Sequence, residues 1–330
     1  MRLGIVGSGK IVDELLSFIH EIKAIQLIHI SGTLRSEEKL KTLCTKHSFQ
    51  RYSTNYQDLL DDQEVDTIYI AVPNHLHFAF AKQAIQHHKH VIVEKPLTST
   101  YEEALQLQAI ALQNHVFMWE AITNQYLPHY QHIKDSLLKL GNIKIIQCHF
   151  SQYSSRYDAF QKGHILPVFD YQKSGGALMD LNVYNIHFVV GLFGQPLDVH
   201  YYPHIEHHID TSGILILEYP DFQCVCIGAK DCQSTSISTI QGDQGCLCID
   251  TPVSSLRSFQ VIKNDGQVHK VPDTQHPHNM YDEFIAFVEM YQKRDYQRCY
   301  QMLEHSLIVC EILTKARRKA GIIFPADHIL

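Results

Sequence analysis

The chain has 330 residues, a formal net charge of −7 at pH 7, and a composition that is 45% hydrophobic and 19% charged. This profile is typical of a globular protein with a sizeable core and excludes collagen, coiled coil and wholesale disorder. The acidic balance does not favour nucleic-acid binding, and no apolar run approaches the roughly 18 residues of a membrane helix. We therefore expect small-molecule partners, with no nucleic acid and no membrane.

Residues 1–122 alternate short apolar runs with amphipathic segments, as successive βα units on a parallel sheet do. The predicted strands and helices are, in order, strands 2–6, 25–31, 67–72, 90–94 and 116–119, a helix carrying Ile11, Leu15 and Ile19, and helices near 37–47, 77–88 and 100–114. This pattern predicts an α/β fold with an N-terminal Rossmann domain, a doubly wound parallel sheet. Because a strand begins at residue 2, we expect no secretory leader and a cytoplasmic protein.

Residues 123–330 change to alternating apolar and polar runs that are typical of half-buried antiparallel strands. The predicted elements are strands 143–153, 199–207, 213–219, 223–230, 236–241 and 246–250, and helices 129–140, 178–193, 280–292 and 296–320. We predict a C-terminal α+β domain with a mostly antiparallel sheet, which binds substrate and mediates oligomerisation. Helices on one face would leave the other open, so we expect a homodimer or higher homo-oligomer through this sheet.

A glycine-rich turn, Gly7-Ser8-Gly9-Lys10-Ile11, joins the first predicted strand to the first helix. Glycines allow a tight turn and let the backbone N–H groups of a helix end approach a pyrophosphate. Val12 occupies the position of a third glycine, so the pattern is also that of a plain strand-to-helix turn. Its place at the first βα junction favours a dinucleotide site.

The end of the second strand carries no acidic residue to hold the ribose 2′-hydroxyl of NAD. Residues 31–36 read Ser-Gly-Thr-Leu-Arg-Ser, so hydroxyl groups and the Arg35 guanidinium could accept a 2′-phosphate instead. This favours NADP over NAD as the cofactor. The alternative is that Arg35 simply begins the next helix at the surface.

Two further loops follow apolar strands at the edge where open parallel sheets bind ligands. The first contains Pro73, Asn74 and His77, and the second is Glu94-Lys95-Pro96. Proline holds the preceding residue in an extended conformation, which would direct Lys95 towards a reacting centre. The alternative is a solvated lysine at a strand end.

These residues, together with the run Ser174-Gly175-Gly176-Ala177-Leu178-Met179-Asp180 and Tyr184, resemble the glucose-fructose oxidoreductase, inositol dehydrogenase and MocA family over nearly the whole chain. The resemblance implies a nicotinamide cofactor, hydride transfer to or from a sugar, cyclitol or related alcohol, and a catalytic role for Lys95. Tyr184 stands where many members have histidine, as in the branch that resembles dimeric dihydrodiol dehydrogenase and favours NADP. Gln125 departs from the family pattern, in which a basic residue is found. The cofactor residues that follow are Gly7, Ser8, Gly9, Lys10, Ile11, Arg35, Pro73, Asn74, His77, Glu94 and Lys95.

Asp180, Tyr184 and His187 stand at i, i+4 and i+7 of one predicted helix and would therefore share a face. A phenol beside the Lys95 ammonium could exchange the proton of a substrate hydroxyl, while Asp180 anchors a substrate hydroxyl or orients the lysine. We predict Lys95, Tyr184 and Asp180 as catalytic residues, and these three with His187 as substrate-binding residues. The alternatives are a core role for Tyr184 and an incidental one for His187.

Histidine and cysteine pairs invite a metal interpretation, but their spacing argues against one. Cys224, Cys226, Cys246 and Cys248 lie in strand-like runs and are predicted to be small core residues, and His204-x-x-His207-His208 lacks zinc-site spacing. We predict no metal site. The expected function is an NAD(P)-dependent oxidoreductase acting on CH–OH groups; a non-catalytic NADP-sensing regulator, and a reductase of an imine or a linear tetrapyrrole, are the alternatives.

Overall fold

The computed structural model describes residues 1–328, which form two compact units. Residues 1–121 and 283–307 make up the first unit; 122–282 and the described residues from 308 onward make up the second. The predicted division had placed all of 123–330 in the second domain. It missed the return of 283–307 to the first unit because a helical pattern does not reveal which sheet its apolar face will cover.

The strands are β1 (Arg2–Val6), β2 (Gln26–Ser31), β3 (Arg51–Ser53), β4 (Thr67–Ile70), β5 (His90–Glu94), β6 (Met118–Ala121), β7 (Ile143–Ser151), β8 (Asp198–Glu206), β9 (Ile209–Glu218), β10 (Gln223–Ala229), β11 (Ser238–Gly242), β12 (Gly245–Ile249), β13 (Phe259–Lys263) and β14 (Val268–Val271). The α-helices are α1 (Lys10–Phe18), α2 (Glu37–Lys46), α3 (Tyr56–Asp61), α4 (His77–Gln86), α5 (Tyr101–Asn114), α6 (Pro128–Ser136), α7 (Tyr157–Gln161), α8 (Val183–Phe193), α9 (Tyr281–Lys293) and α10 (Tyr296–Lys319). A π-helical turn, Leu178–Asn182, leads directly into α8.

The first unit contains a six-stranded parallel sheet in the order β3-β2-β1-β4-β5-β6, which confirms the predicted Rossmann fold. Strand β4 is buried along its whole length, as expected of a parallel sheet covered on both faces. Strand order reverses between β1 and β4, and open α/β sheets bind ligands at the carboxyl ends of the strands flanking such a reversal. Helix α5 begins where predicted, since Thr100 and Glu103 form a capping box at its N-terminus.

The second unit contains an eight-stranded sheet in the order β14-β13-β12-β11-β7-β10-β9-β8. Strands β7 and β10 pair in parallel and the other neighbours pair antiparallel, which confirms the mostly antiparallel prediction. Cys224 and Cys226 are fully buried core residues, as predicted, whereas Cys246 and Cys248 are only half-buried on the other face of β12, so the prediction is wrong for these two. Residues 171–193 are long and apolar enough to cross a membrane, but 67% of their most apolar window is buried inside the protein, as in a core helix.

Candidate active site

The loop after β1 leaves the N-terminus of α1 open. Gly7 adopts φ of +119°, and a Cβ atom there would lie 2.2 Å from the carbonyl oxygen of Ala71, so this position requires glycine. Gly9 is the N-cap of α1; no side chain caps the helix, and a Cβ at Gly9 would meet no atom within 4 Å. Open space in front of uncapped N–H groups fits a pyrophosphate.

Ser8, Lys10 and Ile11 belong to the same turn. The Lys10 side chain is 82% exposed and pairs with Glu14 one turn along the helix. Val12, at the third glycine position, is fully buried in the core. Lys10 and Ile11 can therefore contribute through their backbone N–H groups at the helix end.

The loop after β2 uses two of its hydroxyl groups to hold itself together. Ser31 donates to the carbonyl oxygen of Asn55 at 3.2 Å, and Ser36 donates to that of Thr33 at 2.8 Å and accepts from the Thr33 N–H at 3.0 Å. Arg35 is exposed at the surface of this loop. Among the predicted phosphate ligands, Arg35 is thus the charged group that the loop presents to solvent.

His77 joins the loop after β4 to the loop after β5. Its side chain is buried, with Nδ1 2.8 Å from the carbonyl oxygen of Pro96 and Nε2 2.9 Å from that of Val72. Burial lowers the pKa of His77 despite these two contacts, so the ring is neutral and donates to one carbonyl at a time. Exposed Pro73 and half-buried Asn74 lie on the loop that His77 holds.

The Glu94-Lys95-Pro96 segment is supported by buried polar groups on the neighbouring strands. Burial raises the pKa of Glu94 to about 7, although the Tyr69 hydroxyl on β4 donates to its carboxyl group. Glu120 on β6, a residue that the sequence did not single out, accepts from the Leu97 N–H at 2.8 Å. Lys95 itself is half-buried.

In the second unit, a buried lysine holds Asp180. The Lys230 Nζ atom lies 2.5 Å from Asp180 Oδ2, and the two side chains are 3% and 30% exposed. Lys230 also donates to the carbonyl oxygen of Val168 at 3.0 Å and lies 4.7 Å from the centroid of the Phe169 ring. No sequence pattern points to Lys230, because it follows a strand 50 residues beyond its partner.

Glycine is required at both positions before the π-helical turn, because a side chain at either one would clash with neighbouring atoms. A Cβ at Gly175 would lie 2.7 Å from the carbonyl oxygen of Pro167. Gly176 has φ of +104°, and a Cβ there would lie 2.1 Å from Asp210 Oδ1. The Asp210 carboxyl accepts from the Leu178 N–H and the Tyr201 hydroxyl, each at 2.6 Å, and burial raises its pKa to about 6.

The π-helical turn changes the predicted face of the helix. A regular α-helix had been expected over 178–193, but the wider turn changes the angle between Asp180 and Tyr184. Both side chains are half-buried, whereas His187 is fully buried, so the prediction that all three present one accessible face is wrong for His187. The Tyr184 ring lies 6.0 Å from that of Phe150 between centroids.

Gln125, which stands where the family pattern has a basic residue, forms a hydrogen bond with the backbone of α8. Its Nε2 donates to the carbonyl oxygen of His187 at 2.8 Å, and the neighbouring Asn124 donates to that of Tyr184, also at 2.8 Å. A Cβ at Gly191 would lie 2.5 Å from Gln125 Oε1. Within the second unit, this residue therefore positions the helix.

Comparison with known proteins identifies relatives over the full chain. The scyllo-inositol 2-dehydrogenase (NADP(+)) IolU of Bacillus subtilis (strain 168) is 32% identical over 99% of this chain and 99% of its own. Trans-1,2-dihydrobenzene-1,2-diol dehydrogenase of Danio rerio is 24% identical over 99% of each chain. KijD10, a 3-ketoreductase from Actinomadura kijaniata solved in complex with TDP-benzene and NADP, shares the fold with a TM-score of 0.83 over 96% of both chains at 20% identity.

Family models match both halves of the chain. Residues 1–122 match the model of the oxidoreductase family with an NAD-binding Rossmann fold, and residues 136–319 match that of its C-terminal alpha/beta domain. The chain therefore belongs to the GFO/IDH/MocA oxidoreductase family.

Proposed function

We propose that the protein is an NADP-dependent oxidoreductase that transfers hydride between the nicotinamide ring and a secondary alcohol or carbonyl of a sugar, cyclitol or diol. The observation that carries this proposal is the pair of half-buried groups at the start of α8: Asp180, fixed by Lys230, and Tyr184 one turn later. A fixed carboxylate suits a polyol hydroxyl, and a phenol can exchange a proton with the reacting one. The 32% identical relative, named as an NADP-dependent scyllo-inositol dehydrogenase, favours a cyclitol or similar polyol.

In this mechanism the protein handles the proton and the developing charge. NADP, when bound, supplies the acceptor for the hydride that leaves the carbinol carbon. Tyr184 as the phenolate takes the hydroxyl proton as the C–H bond breaks, and the resulting phenol returns that proton in the reverse reaction. The Lys95 ammonium stabilises negative charge on the reacting oxygen, and Asp180 accepts a hydrogen bond from a neighbouring substrate hydroxyl.

The cofactor would be held by the first unit. The open N-terminus of α1, with Gly9 as its cap, would bind the pyrophosphate. Arg35 would pair with the 2′-phosphate, since residues 31–36 contain no carboxylate to favour NAD. Pro73, Asn74 and the Glu94-Lys95 segment would border the nicotinamide, while His77 holds the loops in place.

Steady-state assays with NADP⁺ and NAD⁺ on inositols, aldoses and trans-diols test the reaction. We expect turnover with NADP⁺, and a fall in kcat on the order of 100-fold or more in Lys95→Ala and Tyr184→Phe with cofactor affinity retained. Tyr52→Phe, at an exposed position of β3, is the matched control and should leave kcat unchanged. Cofactor binding without turnover over the whole panel would refute the proposal.

Substitution of Arg35 tests the preference for NADP over NAD. We expect Arg35→Ala to weaken NADP⁺ binding by roughly 10- to 100-fold with little change for NAD⁺, because charge-assisted bonds to the phosphate are lost. Lys46→Ala removes another exposed cation of the same unit and serves as the control. Equal losses for both cofactors in Arg35→Ala would remove this residue from the site.

A further inference from the structure

A second group of ligand-type side chains lies in the second unit, where β8 turns into β9. It consists of His204, Glu206 and Asp231, each of which places one donor atom within 4.8 Å of the others. His204 Nε2 lies 3.5 Å from Glu206 Oε1. His204 and Glu206 flank an irregularity in the pairing of β8 with β9, and Asp231, just beyond β10, completes the group.

The charge of this cluster is dominated by its two carboxylates. Glu206 pairs with His204, and Thr211 and Ser212 donate to the Asp231 carboxylate. Two carboxylates beside one imidazole leave a net negative charge whenever the imidazole is neutral. Such a site attracts a cation.

Hydroxyl groups hold the two carboxylates in place. Tyr157 donates to Glu206 Oε1 at 2.6 Å, and Thr211 and Ser212 each donate to Asp231 Oδ2 at 2.7 Å. Such hydroxyl partners orient ligands in metal sites.

One carboxylate oxygen of the cluster makes no hydrogen bond. Asp231 Oδ1 is buried and has no hydrogen-bond partner within the described part of the chain. A buried carboxylate oxygen without a partner is costly, because it has lost its water without replacement. Thr211 and Ser212 bind the other oxygen, Oδ2, and Thr211 also lies 3.3 Å from Glu206 Oε1, so one hydroxyl group joins the two carboxylates.

We propose that His204, Glu206 and Asp231 form a binding site for a divalent first-row transition ion, with Zn²⁺ as the probe. An imidazole nitrogen with two carboxylate oxygens suits zinc and its neighbours, whereas Mg²⁺ and Ca²⁺ prefer oxygen alone. Water would fill the remaining positions. The ion would tie the residue after Lys230 to the β8–β9 hairpin. This proposal departs from the sequence-based prediction of no metal site.

Zinc titration of chelator-treated protein tests this site. The chain has 23 histidines, so weak background binding is expected and a matched variant is needed. His269→Ala removes an exposed histidine of β14 outside the cluster. We expect one tight Zn²⁺ per chain in the wild type and in His269→Ala, and an affinity lower by at least about tenfold in His204→Ala and Glu206→Gln.

Two further measurements separate a built site from scattered binding. Zinc should raise the Tm of the wild type but not that of His204→Ala, since an ion that binds the folded state stabilises it. Co²⁺ should give a visible absorption band that Glu206→Gln alters. Matching Tm values for the metal-free proteins would show that the variants fold. Identical zinc binding in all four proteins, or no Tm shift in the wild type, would overturn the proposal.

Discussion

The two units each begin a helix with a glycine turn, and they treat the helix N-terminus in opposite ways. Before α1, Gly9 leaves the first N–H groups without a side-chain cap and with open space in front of them. Before the π-helical turn, Asp210 accepts the Leu178 N–H at 2.6 Å and lies against Gly176. The first unit thus keeps its helix end for an external anion, while the second fills the same position with its own carboxyl group.

This difference separates two uses of glycine. Gly9 faces empty space and leaves room for a ligand, whereas Gly176 faces a buried side chain and is required for folding. Substitutions at the two positions should therefore damage different properties of the protein.

The largest effect on stability is expected from Gly176→Ala. Its Cβ would lie 2.1 Å from Asp210 Oδ1 at φ of +104°, so we expect a loss of roughly 3–5 kcal/mol in the free energy of unfolding. Gly9→Ala meets no atom within 4 Å and should cost less than about 1 kcal/mol, yet weaken NADP⁺ binding about tenfold or more. Denaturant unfolding and cofactor titration measure the two effects.

Gly163→Ala provides the control for backbone strain. Gly163 has φ of +85° but no atom within 4 Å of a Cβ, so its substitution isolates the conformational cost, about 1–2 kcal/mol. A Gly176→Ala variant no less stable than Gly163→Ala would contradict the role of Asp210.

The Asp210 carboxyl group at this second helix N-terminus also makes the free energy of unfolding depend on pH. Burial raises the pKa of Asp210 from 3.8 to about 6, so the folded state holds this proton more tightly than the unfolded chain. This contribution is complete below pH 4 and is lost as pH rises through about 6, a change on the order of 2–3 kcal/mol. Asp210→Asn should reduce the fall in stability between pH 4 and 6.5, measured by urea unfolding.

Exposed Asp221 offers the control for that measurement. Asp221→Asn should keep the wild-type slope of stability against pH. Glu94, whose pKa burial raises from 4.5 to about 7, should still contribute a fall between about pH 4.5 and 7 in both variants, so Asp210→Asn reduces the slope without abolishing it. An unchanged slope in Asp210→Asn would show that this carboxyl group does not titrate with folding.

Local patterns in the sequence were sufficient to predict the uncapped N-terminus of α1. They were not sufficient to predict the helix N-terminus that Asp210 caps. The strand 2–6, its glycine turn and the following amphipathic helix are contiguous, so periodicity and turn chemistry predict them together. The acceptor for the Leu178 N–H lies 32 residues away, on β9, and no spacing rule joins Asp210 to Gly176. The glycines were identified, but the reason for them was not.

Short or irregular elements were missed for related physical reasons. Strand β3 has three residues, too few to show an alternation, and the π-helical turn depends on Asn182, whose side chain donates to the carbonyl oxygen of Cys226 on β10. Lys230 is the largest omission at the candidate site. A lysine after a strand is usually solvated, and only the packed sheet brings it to Asp180.

Breaking the Lys230–Asp180 pair should reduce stability by less than Gly176→Ala does. Lys230→Met leaves Asp180, which is 30% exposed and partly solvated, so we expect a loss of about 2 kcal/mol in stability. If Asp180 binds substrate, kcat/KM should also fall roughly 10- to 100-fold, since the carboxylate is no longer fixed. Lys173→Met breaks a more exposed pair with Asp170 and should leave both quantities nearly unchanged.

A double-mutant cycle with Asp180→Asn sharpens this test. If Lys230 acts through Asp180, the double variant should be no worse in kcat/KM than Asp180→Asn alone. Additive losses would mean that Lys230 acts on activity by another route, such as its contact with the carbonyl oxygen of Val168.

The smallest change in protomer stability is expected from substitutions on the open face of the second sheet. Unlike β4, which is buried throughout, β9 alternates buried and accessible residues, and Ile214 is 44% exposed beside Tyr202, its 62% exposed partner on β8. We propose that two copies associate through this face. Ile214→Glu should convert a dimer to a monomer in light scattering while changing protomer stability by less than about 1 kcal/mol. Leu138→Glu, at a 91% exposed position off the sheet, should leave the dimer intact; a wild-type monomer at micromolar concentration would refute this assembly.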